Sequence, residues 1–146
     1  MKQYDPQKAA QVWQRVQNQP STPSGPENLA VLIMTQWETA AFCRRMPEPA
    51  MKHISQTAQR HIQCLKGIHH LATGRPAEVR TPAVEVDLSP AGLRKCYGKM
   101  LRCLGEYEKR CDDREYGPVF RNLAREQRDC CCKLLEFIGS QDRKKG

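Results

Sequence analysis

The stretch that most limits how this chain folds is one without helical period. Arg75–Leu88, RPAEVRTPAVEVDL, lies between two pairs of segments that do carry a helical pattern. Its Val84, Val86 and Leu88 alternate with acids, as in an extended strand lying on a surface. Before it, helix is expected over Pro26–Met46 and Pro49–Gly74, with Pro47 and Pro49 ending one and starting the next. After it, Ser89-Pro90 supplies a capping hydroxyl and a proline for the first turn of a helix, DDREYG turns the chain, and Pro118 to about Gly139 forms the last helix. Short links make antiparallel neighbours. A helix of about 24 residues is roughly 36 Å long, and a segment the length of Arg75–Leu88 reaches at most ~46–50 Å. It can therefore run the full height of a bundle, so that the next helix starts parallel to the previous one. The expected fold class is all-α: a four-helix bundle with one long crossover between its second and third helices.

The helical segments each carry one inward seam. On the first it is Leu29, Leu32, Ile33, Gln36, Ala40 and Cys43; on the second, Ile54, Ala58, His61, Leu65, Ile68 and Ala72. On the third it is Leu93, Tyr97, Met100, Leu104, Tyr107 and Cys111; on the fourth, Phe120, Leu123, Gln127, Cys130, Leu134 and Phe137. Gly74 is expected to cap the second segment. Ahead of the bundle, residues 1–25 read as a short amphipathic helix (Ala9, Val12, Trp13, Val16, started by Asp5-Pro6) and a linker, Gln19–Gly25; residues 26–139 are the bundle, and residues 140–146 a basic, frayed tail.

With 146 residues and 39% apolar content, one core needs no disulfide staples. The eight cysteines, set within helical patterns and without an export signal, are expected to be free thiols of a cytoplasmic protein. No run is long and apolar enough for a membrane span. The net charge of +8 is spread over several helices, and the 6% aromatic content offers no stacking platform, so nucleic acid is not the expected partner. A homodimer is the expectation by analogy with bundles of this kind.

Halfway along the four seams stand Gln36, then Ala58 with His61, then Met100, then Gln127 with Cys130. Residues three apart share a helix face, so two such side chains can grip one metal ion. This order of single, pair, single, pair resembles the ferritin-like superfamily, and its rubrerythrin-type branch most closely, over about Pro26–Gly139. In that family two helices each give a Glu and two give Glu-x-x-His to a di-iron site. The resemblance implies that Gln36 and Met100 stand for the single carboxylates, Ala58 and His61 for one Glu-x-x-His, and Gln127 and Cys130 for the other. Only His61 keeps its expected type. Amides, alanine, thioether and thiol do not offset the charge of two irons, so a di-iron cofactor and its chemistry are not expected. Gln36, Ala58 and Gln127 then line a vestigial site. The expected function is that of a binding or structural module with no catalytic residues. The alternative is a soft-ligand site in which His61, Met100 and Cys130, flanked by Cys64 or Cys103, hold zinc or copper(I) in a redox or metal-handling role.

Two further features remain. Cys130-Cys131-Cys132 cannot all face inward, because successive helix residues are about 100° apart, and Cys132 is the candidate reactive thiol. His69-His70 suit the C-terminal end of a helix dipole better than a surface metal.

Overall fold

The computed structural model describes residues 29–145, apart from the side chains of residues 142, 144 and 145. The expected N-terminal helix and linker lie outside the described residues. Four helices follow in order: α1 Ala30–Arg44, α2 Pro49–Thr73, α3 Pro90–Lys109 and α4 Gly117–Lys145. They form an all-α four-helix bundle, and no strand occurs among the described residues.

Local chemistry sets the helix ends. Pro49 opens α2, and Gly74 closes it in the left-handed region at φ 74°, its N–H bonded to the His70 carbonyl at 2.8 Å. Ser89 caps α3 by accepting from the Gly92 N–H at 3.2 Å, with Pro90 in the first turn. The turn into α4 is held by Asp113, whose carboxylate accepts from the Glu115 and Tyr116 N–H groups at 3.0 and 2.7 Å. Nothing after Gly139 forbids helix, and α4 continues to Lys145 where a frayed tail was expected.

Two apolar clusters fix the topology. One joins Leu29 and Ile33 at the start of α1 to Leu65 and Ile68 late in α2, Leu104 and Tyr107 late in α3, and Phe120 and Leu123 early in α4. The other joins Phe42 and Cys43 late in α1 to Met51 and Ile54 early in α2, Leu93 and Cys96 early in α3, and Cys130 and Leu134 further along α4. Hence α1 runs parallel to α4, and α2 to α3, while α1 packs on α2 and α3, and α4 on α3 and α2. Ala72, which continues the α2 seam, is exposed because the core ends at Ile68.

The crossover must therefore travel from one end of the bundle to the other. Ala77 and Val79 pack on the first cluster and Val86 on the second. Midway, the Trp37 indole N–H bonds the Pro82 carbonyl at 3.2 Å. Val84 and Val86 are half-buried between exposed neighbours, as the alternation predicts, whereas Leu88 is exposed, and the segment has no partner strand among the described residues.

Where the crossover meets α3 its backbone comes very close. A Cβ on Gly92 would overlap the Asp87 carbonyl, whereas one on Gly98 would meet nothing within 4 Å. Gly92→Ala is expected to destabilise the fold by about 1–3 kcal/mol through this overlap. Gly98→Ala, inside the same helix, should stabilise it by roughly 0.5–1 kcal/mol. Paired thermal and denaturant melts of the two variants check both signs.

Candidate functional site

Between the two apolar clusters the bundle carries one polar layer. It is built from Gln36 of α1, His61 of α2, Tyr107 of α3 and Gln127 of α4, each no more than 2% exposed. All four helices contribute because each places one polar residue on its seam at the same height. Burial obliges these groups to bond one another.

The direction of every bond follows from the two ends of the chain. The Met100 backbone carbonyl can only accept, and it takes a hydrogen from Gln127 Nε2 at 3.1 Å. That orients Gln127 Oε1 towards Gln36, whose Nε2 donates to it at 2.8 Å. The second Gln36 hydrogen goes to the Tyr107 hydroxyl, also at 2.8 Å. His61 Nδ1 and Cys103 Sγ lie further from the same nitrogen, at 3.2 and 3.5 Å. Having accepted from Gln36, Tyr107 donates to His61 Nδ1 at 3.0 Å. His61 must then carry its proton on Nε2, which donates to Glu126 Oε1 at 3.0 Å. Arg60 closes the chain at the surface, bonding Glu126 Oε2 at 3.2 Å and Thr57 Oγ1 at 3.3 Å.

The electrostatics agree with this assignment. Burial of His61 pushes its pKa below the usual 6.5, against the opposing pull of Glu126, so the ring is neutral at pH 7. Its contact with Glu126 is thus a charge-assisted hydrogen bond rather than an ion pair. Burial raises the carboxyl pKa of Glu126, but the His61 and Arg60 bonds outweigh it and the net shift is downward. Tyr107 is held well above the ordinary phenol range, chiefly by burial, and stays a neutral donor.

The residues singled out in the sequence divide into three groups. Gln36, His61 and Gln127 meet directly. Met100 reaches the layer through its carbonyl, with its thioether in the sulfur-rich cluster, while Ala58 is buried without a polar group to offer. Cys130 is buried, its thiol pushed up to about 11 by that burial. Both ring nitrogens of His61 are engaged by Tyr107 and Glu126. Among the described residues no three His, Cys, Asp or Glu side chains are grouped to hold a metal ion. Cys130 and Cys131 are buried and Cys132 is exposed.

Tyr107 and Glu126 were not read as site residues from sequence. Tyr107 stands on the seam two turns beyond Met100, and a buried tyrosine needs a partner for its hydroxyl. Glu126 precedes the seam residue Gln127, so it lies about 100° round the helix. It approaches His61 from the solvent side and not from the bundle axis, and its side chain is 27% exposed.

No family model, curated protein or solved structure matches this chain. The class that the fold and site define is a four-helix bundle with a single crossover and a buried, hydrogen-bonded polar centre.

The lowered pKa of His61 fixes a pH dependence. As pH falls below 6.5 the unfolded chain takes up this proton before the folded one does, so stability drops until the folded ring is also protonated. The slope contributed by one group is at most about 1.4 kcal/mol per pH unit. In His61→Gln this slope should vanish from denaturant midpoints measured between pH 7 and 5. Tyr107→Phe removes the hydroxyl that bonds both Gln36 and His61 but keeps their own contact at 3.2 Å, and should cost about 0.5–1.5 kcal/mol, read from urea unfolding at pH 7.

Proposed function

We propose that this chain is a ferritin-like, rubrerythrin-type bundle whose di-iron centre has given way to a hydrogen-bonded layer, and that it acts as a binding or structural module. The observation that carries the reading is the directed hydrogen-bond chain that fills the layer at the height where that family places its metal ligands. Gln36 and Gln127 occupy carboxylate positions, yet Gln36 donates to Tyr107 and to Gln127, and Gln127 in turn donates to the Met100 carbonyl. The carboxylate that bonds the layer, Glu126, comes from the flank and serves His61. Bridging two irons needs several converging carboxylates, which amides do not replace. The crossover and the parallel pairing of α1 with α4 and α2 with α3 support the same relationship.

The test compares iron binding by this protein with that of a variant carrying Gln36→Glu, Ala58→Glu, Met100→Glu, Gln127→Glu and Cys130→His. Anaerobic ferrous titration followed by oxygen exposure is expected to give no saturable iron binding in the native chain. The variant, once shown to be helical by circular dichroism, should bind about two irons per chain. Saturable di-iron binding by the native chain would overturn the proposal. Stoichiometric zinc or copper(I) uptake that raises its melting temperature would instead favour the soft-ligand reading through His61, Met100 and Cys130.

A further inference from the structure

The polar layer holds a phenol in surroundings that suit one-electron chemistry. Tyr107 is wholly buried, so its hydroxyl meets neither water nor a solute. The hydroxyl accepts from Gln36 Nε2 at 2.8 Å and donates to His61 Nδ1 at 3.0 Å. The two rings are tilted by 60°, with their centroids 5.5 Å apart. On the far side of the imidazole, the Nε2 proton is bonded to Glu126 Oε1 at 3.0 Å. Glu126 is 27% exposed and pairs with Arg60 at the surface. A path for protons thus runs from the buried phenol to the rim of the bundle.

Loss of one electron turns a phenol into a strong acid, so its proton has to leave with the electron. The electron can tunnel across one helix, about 10–12 Å in diameter with its side chains. The proton cannot, and needs an acceptor already in hydrogen-bond contact. His61 Nδ1 is that acceptor, because the ring is neutral and its lone pair faces the hydroxyl. Once protonated, the ring is an imidazolium against the Glu126 carboxylate. The new charge therefore forms an ion pair and does not stand alone in the core. The Gln36 N–H remains on the phenol oxygen throughout.

We propose that Tyr107 is a reversible one-electron redox site, oxidised by small diffusible radicals, with His61 taking its proton. In the forward step a radical such as nitrogen dioxide gains one electron and becomes nitrite. The Tyr107 O–H bond breaks, an N–H bond forms at His61 Nδ1, and Tyr107 is left as a phenoxyl radical. An enediol reductant of the ascorbate class returns one electron, and the proton goes back from Nδ1 to the phenol oxygen. Burial keeps the phenoxyl from meeting a second radical, so it is re-reduced where an exposed tyrosine would couple or be nitrated. This role rests on the metal-free layer proposed above, since an ion on His61 would take the lone pair that the proton needs.

The experiment oxidises the full chain, treated with chelator, by flash photolysis with tris(bipyridine)ruthenium and a sacrificial electron acceptor. Photogenerated ruthenium(III) is the one-electron oxidant, and the radical is followed by optical absorption and electron paramagnetic resonance. A long-lived tyrosyl radical is expected in the native chain and in the combined variant Tyr4→Phe, Tyr97→Phe and Tyr116→Phe, and its loss in Tyr107→Phe. His61→Gln, which keeps a polar side chain but cannot take a proton, should slow the formation of the radical and remove its deuterium isotope effect. A native chain that shows no long-lived radical, and instead cross-links through its other tyrosines, would overturn the proposal whatever the folding of the variants. So would a radical that forms at an undiminished rate in folded His61→Gln. Di-iron binding would overturn the metal-free reading through the ferrous titration, whereas the radical is read with metal removed, so the two failures are distinct.

Discussion

Four helices meet at one amide. Gln36 donates to Gln127 on α4 and to Tyr107 on α3, and Tyr107 passes the chain to His61 on α2. Apolar seams tolerate sliding, because leucine against isoleucine is much the same one turn up or down. A directional polar layer does not. Moving any one helix by a turn would strand a buried donor or acceptor, at about 1–3 kcal/mol for each group left without a partner. The layer thus ties the axial positions of the four helices together, while the apolar clusters on either side supply the bulk of the burial.

The same layer commits both ring nitrogens of the one imidazole at its centre. Imidazole binds metal through a free nitrogen lone pair, and His61 has its Nδ1 lone pair committed to the Tyr107 hydroxyl and its Nε2 proton to Glu126. Releasing either nitrogen means breaking a bond whose other partner is buried or charged.

The architecture was legible because it rests on features that survive in a linear string. Prolines and Gly74 mark helix ends, the seams repeat at helical spacing, and the length of Arg75–Leu88 admits few connections. Gln36, His61 and Gln127 were legible for the same reason: a polar residue on an apolar seam has to face the centre. Tyr107 was taken for core because its ring is apolar, and only its hydroxyl, placed by the facing helices, brings it into the network. Glu126 sits off the seam and reaches inward by the length of its side chain, which depends on how α2 and α4 are rotated against each other.

The two apolar clusters differ in character. One is mostly branched aliphatic and aromatic, with Leu65, Ile68, Tyr107 and Phe120 locked by their shapes. In the other, Cys43, Met46, Met51, Cys96, Met100, Cys130 and Cys131 outnumber the hydrocarbon side chains. Thioethers on unbranched, freely rotating stems refill space after a neighbour shifts, where a packed aromatic would jam. Met46, Met51 and Met100 thus make the pole where α1 ends and α3 begins the more adaptable of the two, because each can re-pack around a shifted neighbour.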